Sequence, residues 1–590
     1  MTQNQSNRKI TIGNSIIILL SIIGLAACIA ALFPQVRGMI MDFAAKIMHK
    51  EASTYQVWLR VLLSYAMGGI CFILFFDYCT LTASGRSLVK KVRQEVKDCL
   101  SEIDFRLYLK PSLILAFVYL LGILTIIRAN YSYNDDMGRV AVGYRGWYNW
   151  DRYVNEFISI LVNTGTNIID ISPLPQLLAV VILTISSLIL VYVIGKKKVT
   201  VVRLLASVPL GLSPFFLENI VYKVDAPYMS LSILTTIFPF LFIERKKAFV
   251  FISVVCLLIM CMTYQASSGI YMMIVAMICF QDWNSKEKTN KEILYFLGTS
   301  AFAFCLSMLL FRFFLMRPFY DYYTSNAVHP LPQLISGTLG NIKEYATIIN
   351  HDLGMTWRIG IIIILLFFIT KSMYSSAQGK ILSFFVSILV IALSFILSFG
   401  VYSLLAIPLL APRVMYGFGV FLAIVCIYVV SDYKKIAVVT VFALNWCFFV
   451  FIFSYGNALA DQARYAEFRA TILLNDLSGL YPNVDREGNL PEGKTLSIQL
   501  KNSIDFTPVV KNIAKHYPLI EKLVPKRLAE SFCWDNYYYM EYFNYVQYGR
   551  AHFPGENSVD FSTLNLPVVL DSYYHTIQSD GEHVLVVLKH

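Results

Sequence analysis

Apolar residues in this chain come in runs long enough to cross a bilayer, separated by short polar turns. About twenty apolar residues in helical form span the hydrocarbon core. Runs near that length fall at 10–33, 57–78, 111–128, 171–195, 200–217, 227–243, 248–263, 268–281, 294–316, 357–371, 381–405, 414–431 and 436–455. The seventh and eighth are short, which predicts tilted, kinked or partly re-entrant segments. The run at 10–33 exceeds the roughly 7–15 apolar residues of a cleaved leader, and no clear small-residue cleavage site follows, so it reads as a retained span. The pattern predicts a polytopic α-helical membrane protein of about 13 crossings, its two ends on opposite sides.

Beyond residue 455 the pattern changes. Residues 463–480 and 508–523 read as helices, and 495–500, 568–577 and 583–588 as strands, with Ser579-Asp580-Gly581 as a hairpin turn. This divides the chain into a membrane core, 1–455, and a small α/β domain, 456–590, capping the outer face. The aromatic run 534–548 is expected near the membrane or a sugar. A further segment, 85–110, repeats Val89, Val92, Val96, Leu100, Ile103 and Leu107 at helical spacing, with Lys90, Lys91, Arg93 and Lys97 on the remaining faces. It predicts an amphipathic helix on the inner leaflet, held by burial and anionic lipid.

Composition agrees with the membrane reading. Of 590 residues 57% are hydrophobic and 15% charged, against ~25% charged in soluble domains. The net charge of +11 sits in short turns, so it argues for orientation and not for nucleic acid. Lys196, Lys197, Lys198 and Arg203, then Arg245, Lys246 and Lys247, then Lys286, Lys288 and Lys291, then Lys371 and Lys380, then Lys434 and Lys435 all fall on the side of Arg8 and Lys9. The positive-inside bias makes that side, with the N-terminus, cytoplasmic and puts the C-terminal domain outside. Most of the eleven cysteines lie in apolar runs, and the polar tail has Cys533 alone, so no disulfide framework is expected there.

The polar residues left on the outer side carry the candidate chemistry. Residues 131–151, YSYNDDMGRVAVGYRGWYNWD, hold Asp135 and Asp136, Arg139, and the aromatics Trp147, Tyr148 and Trp150. A carboxylate just outside a span can act as a general base on a hydroxyl, and an adjacent one can hold an acceptor or a divalent ion; a solvated turn is the plainer reading. The aromatics suit either sugar stacking or an interfacial belt. In the stretch 213–229, Glu218, Lys223 and Asp225 sit at the junction of two spans, where ionisable groups face a cavity or one another. Tyr264 and Gln265 lie in a tight turn. Arg413 follows Pro412 at a membrane boundary, placed either to bind a phosphate bidentately or to snorkel to a headgroup. No HExxH, CxxC, Walker loop or GxGxxG occurs, so neither a dedicated zinc site nor ATP nor a dinucleotide is implied. The acidic pair leaves a divalent cation open.

Taken together, N-D-D-M-G-R (134–139), G-Y-R-G-W (143–147) and D-R-Y (151–153), continued by Asp170, I-S-P-L-P (171–175), E-N-I-V-Y-K-V-D-A-P-Y-M (218–229) and Y-Q-A-S (264–267), resemble the glucosyltransferase type II (Gtr) family of bacterial and phage enzymes that glucosylate O-antigen. The resemblance is good over 131–269 and weak beyond. Asp151 stands where the pattern has glycine. The resemblance implies a GT-C-like glycosyltransferase of the bacterial plasma membrane. It would move a hexose, glucose foremost, from undecaprenyl phosphate to a surface polysaccharide such as O-antigen on the periplasmic face, served by a donor synthase and a flippase. It implies Asp135 as base, with Asp136 orienting base or acceptor. Arg139, Lys223 and Arg413 would meet the donor phosphate, and Arg152, Glu218, Asp225, Tyr264, Gln265 and Trp147 would contact substrate. No cofactor beyond the lipid-linked sugar is implied. The alternatives are a transporter or flippase of lipid-linked sugars, which would place charges near the bilayer midplane, and an O-antigen polymerase or ligase, which would use a diphosphate-linked donor.

Overall fold

The computed structural model describes residues 78, 80 and 82–589, apart from 317–326, 433, 480–495, 530–535, 537, 541–542, 544–550 and 553–558. The expected span at 10–33 and nearly all of that at 57–78 lie outside the described residues, as do Cys28, Cys71 and Cys533. Each of the other eleven expected spans coincides with helix. Among the described residues seven helices are long and apolar enough to cross a membrane: Phe105–Ala129, Leu174–Ile194, Asn290–Leu315, Met355–Tyr374, Lys380–Leu397, Pro412–Asp432 and Lys435–Gly479. An eighth is formed if Val201–Leu212 and Pro214–Val221, bent by 48°, count as one broken span. Pro214 explains the break, because its ring cannot continue the preceding turn. Ala226–Phe242 and Lys246–Cys261 are shorter, and Ser268–Ser285 ends in a polar turn. Over the same residues, then, seven or eight helices meet the length that eleven were expected to meet.

Pro412–Asp432 runs through the middle of the bundle, with 94% of its apolar window buried, whereas Asn290–Leu315 is peripheral with 17% buried. Small residues let the inner helices touch. A Cβ on Gly269 would lie 1.7 Å from the carbonyl oxygen of Leu397, so glycine is required at that crossing.

The basic turns meet at one end. Lys197 pairs with Glu244 at 3.0 Å, Lys196 with Glu287, Lys371 with Asp432 at 3.1 Å, and Arg203 donates to the Ser431 carbonyl at 3.1 Å. The helix expected at 85–110 is divided. Ala83–Glu102 docks on this basic end through Glu95, which accepts the Ala248 N–H at 2.8 Å, and through Glu102, which pairs with Arg245. Ile103 ends it, and Leu107 belongs to the following span. Val89 and Leu100 remain exposed.

At the opposite end the last span-length helix, Lys435–Gly479, leaves the bundle without a break and passes through Gly456 into the C-terminal domain. There Ala466, Ala470, Leu473 and Leu477 pack under a five-stranded sheet of order β2-β1-β5-β4-β3. Its strands are β1 (Leu496–Lys501), β2 (Ala551–His552), β3 (Val568–Asp571), β4 (His575–Ser579) and β5 (His583–Leu588). β1 is parallel to both β2 and β5, whereas β4 is antiparallel to both β5 and β3. The strand expected at 568–577 is two strands, and the 579–581 turn closes with Gly581 at φ 96°.

Candidate active site

Residues 131–156 fill the end of the bundle opposite the basic turns. Asn130, in left-handed conformation, stops the first described span by donating its N–H to Ile126 and Ile127. Tyr131 and Tyr133 turn inward, Tyr133 against Tyr222 at 4.7 Å. A short helix, Asp135–Val142, then begins with both aspartates in its first turn, where the helix dipole favours negative charge.

Neighbouring residues on a helix do not face the same way, and the two aspartates part company. Asp136 is fully buried. Its carboxylate accepts the backbone N–H groups of Lys223 at 2.8 Å, Val224 at 3.2 Å and Tyr133 at 3.4 Å. These bonds tie the helix to residues 222–225. Burial, and next the Asp225 carboxylate, push Asp136 up to about 7, against the opposing N–H groups of Lys223 and Val224 and the charge of Arg139. Asp135 is half-exposed and has no hydrogen-bond partner among the described residues. It lies within electrostatic reach of Arg139, Tyr144 and Tyr222.

Arg139, Asp225 and Trp147 form a buried knot beneath it. Arg139 Nη1 is 3.1 Å from Asp225 Oδ2, and Trp147 Nε1 donates to Asp225 Oδ1 at 2.5 Å. The guanidinium lies 4.4 Å over the Trp147 ring, whose other neighbour is Tyr228 at 5.2 Å. Trp147 has no exposure and so offers no face to a sugar; in this stretch Tyr148 and Trp150 are the exposed aromatics. The Arg139 charge is likewise engaged by Asp225. Lys223 Nζ donates to Ser132 Oγ at 3.2 Å and lies 3.8 Å from Asp170 Oδ2, in a small pocket that also includes Asn163 and Tyr228. Burial lowers its pKa.

A second cluster surrounds Tyr264. Glu218, buried, accepts both the backbone N–H of Arg413 at 2.8 Å and its Nη1 at 2.6 Å. Pro412 opens the helix that presents Arg413, and the arginine side chain keeps 29% exposure. Arg152 lies 4.7 Å over the Tyr264 ring, which stacks on Tyr416 at 6.2 Å. Tyr402 is within electrostatic reach of both Arg152 and Arg413. Two cations 261 residues apart in sequence thus approach one aromatic floor. Asp151 has φ 57°, the left-handed conformation a glycine would adopt there, and its carboxylate accepts the Tyr153 hydroxyl at 3.0 Å. The departure from glycine therefore leaves the backbone that sets Arg152 in place. Gln265 is half-buried beside Tyr264.

Tyr222 joins the two clusters. Its hydroxyl accepts from Asn134 Nδ2 at 3.2 Å, its ring lies 6.0 Å from the Arg413 guanidinium, and it feels Asp135 and Glu218. Sequence reasoning passed over Tyr222 and Tyr402, because aromatic residues within apolar runs carry no signal that separates a site wall from core. Among the described residues no three His, Cys, Asp or Glu side chains gather as a metal site would require.

Comparison with known proteins bears on this region directly. An uncharacterized 55.3 kDa protein in the gtrB 5′ region of Salmonella phage P22 is 24% identical over 452 residues, covering 73% of this chain and 88% of that protein. No solved structure matches the chain. The family model for glucosyl transferase GtrII matches residues 124–453. That interval is more than half of the chain and includes Asp135, Arg152, Glu218, Tyr264 and Arg413, so the chain belongs to the GtrII glucosyl transferase family.

Proposed function

We propose that this protein transfers glucose from a polyprenyl-phosphate donor to a hydroxyl of a surface polysaccharide such as O-antigen, at the extracytoplasmic face of the bacterial plasma membrane. The observation that carries the reading is the half-exposed Asp135 carboxylate, without a hydrogen-bond partner among the described residues, at the same end of the bundle as Arg152 and Arg413. Its placement opposite the basic turns agrees with an outer-face site under the positive-inside bias.

In this mechanism Asp135 takes the proton of the acceptor hydroxyl as that oxygen attacks C1 of the glucosyl unit. The bond from C1 to the phosphate oxygen breaks, and the polyprenyl phosphate leaves with the electron pair. Arg152 and Arg413 meet the charge growing on that oxygen, where fixed cations in a dry site lower the barrier most. The donor's tail enters between spans, so the phosphate arrives at the membrane boundary where these arginines lie. Asp136, Arg139, Asp225 and Trp147 hold the Asp135 helix in place, and Lys223 anchors the neighbouring turn. The donor is made and flipped by other proteins.

The test is transfer of labelled glucose from polyprenyl-phosphate glucose by purified protein, compared with Asp135→Asn. Undiminished transfer by the variant removes Asp135 as base. The bent pair Val201–Leu212 and Pro214–Val221 would also suit a transporter of lipid-linked sugars, since transporters break helices at their sites. The same assay decides: a transporter leaves the label on its lipid. A polymerase or ligase would instead require the diphosphate-linked donor.

A further inference from the structure

Asp135 has two different sides. It lies within electrostatic reach of Tyr222, whose ring is 6.0 Å from the Arg413 guanidinium, and of Tyr144, whose ring is 6.0 Å from that of Tyr538 in the C-terminal domain. That domain is built onto the very helix that carries the aspartate. Met137 is buried in the domain's own hydrophobic core, among Ala466, Leu473, Tyr539 and Met540. Arg527 lies 4.9 Å over Tyr131 and donates to the Ser132 carbonyl, and Tyr131 in turn donates to the Pro525 carbonyl at 3.4 Å. Lys522 is 2.8 Å from Asp352, a buried carboxylate that ends the helix Leu334–Asp352.

Tyr538 reaches furthest toward the aspartate. Its ring lies flat on Gly138, one turn along the helix from Asp135, so closely that a Cβ there would sit 2.8 Å from Cγ and Cδ2 of the ring. The Tyr538 and Tyr144 rings are 6.0 Å apart and tilted by 30°. Both side chains are half-buried. Two tyrosines with rings and hydroxyls beside a carboxylate have the chemistry to hold a carbohydrate: flat apolar faces for C–H groups and polar edges for hydroxyls.

The acceptor oxygen must lie within reach of both the base that takes its proton and the carbon it attacks. In an in-line displacement it approaches that carbon from the face opposite the leaving phosphate oxygen. With the donor phosphate on the arginine side, the acceptor belongs on the other. We propose that Tyr144 and the C-terminal domain's Tyr538 form the acceptor subsite, so that the last domain selects the polysaccharide that is glucosylated. The inference rests on the transfer reading above and assigns its second substrate. It places specificity largely outside the family-matched interval 124–453.

The experiment uses the full chain and, as acceptor, the polysaccharide released by mild acid from lipopolysaccharide of a strain in which the gene is deleted. Transfer is followed against acceptor concentration and, separately, against polyprenyl-phosphate glucose. Tyr538→Ala and Tyr144→Leu are each expected to raise the acceptor KM about tenfold, roughly 1.4 kcal/mol, with the donor KM within about twofold of wild type. Tyr538→Phe, which keeps the packing on Gly138 and loses only the hydroxyl, serves if the alanine variant fails to fold, and a rise in acceptor KM alone is again expected. Unchanged acceptor KM in folded variants, or equal rises for both substrates, overturns the inference and leaves the transfer reading standing. Absence of transfer by the wild-type protein overturns both.

Discussion

Arg139 and Asp225, 86 residues apart, form an ion pair 3.1 Å long in which each side chain is only 4% exposed. The pair joins the helix that carries Asp135 to the start of Ala226–Ile237, and Trp147 caps its free oxygen. Charges this deep are costly to separate, because the partner left behind has neither water nor counterion.

The first prediction follows from that geometry. Asp225→Ala or Arg139→Ala is expected to destabilise the protein by about 3–5 kcal/mol, the usual cost of breaking a buried pair. The double variant should lose less than the sum of the two. Thermal unfolding in detergent checks this, and strictly additive losses would show that the pair is not coupled.

The twin aspartates are expected to fail differently. Asp135→Asn should lower kcat by about 10²–10⁴, the range of a lost general base, with little change in unfolding temperature. Asp136→Asn should lower the unfolding temperature, because one amide N–H₂ must then face the backbone N–H groups of Lys223 or Val224. Activity and melting measured on the same preparations separate the two.

The raised pKa of Asp136 sets a pH dependence. In the folded chain it titrates near 7, against 3.8 when unfolded. The unfolded chain therefore releases this proton first, and the group's stabilising contribution, complete below about pH 4, is lost as pH rises to about 7 and flat above. At about 1.4 kcal/mol per pKa unit the whole change is about 4 kcal/mol. Asp136→Asn should remove that part of the slope from the difference between variant and wild-type stability over pH 4–7.

The two arginines at Tyr264 should also divide. Arg152 rests on the Tyr264 ring and has no carboxylate partner in ion-pair range among the described residues, so Arg152→Ala should spare stability and cost about 10²–10³ in kcat, as removal of one transition-state charge partner does. Arg413→Ala should cost activity and also about 3–5 kcal/mol of stability, since Glu218 is left buried and unpaired. Equal unfolding temperatures for the two variants would contradict the different burial of their surroundings.

What the amino-acid sequence determined by itself was the succession of apolar helices among the described residues, the gathering of basic turns on one side and the α/β nature of the tail. Each depends on local rules: a span needs a fixed length of apolar residues, and a strand or turn declares itself within a few positions. The motif 134–139 also brought both aspartates into view. Only the tertiary structure decided that Asp136 turns in and Asp135 stays half-exposed, because which face of an eight-residue helix is buried depends on residues 222–225 packing against it. The same holds for Trp147, an aromatic in a polar loop that proves to be fully buried, and for Tyr538, which meets Gly138 across 400 residues of chain. Burial and pairing are properties of contacts between distant segments, and spacing along the chain carries no record of them.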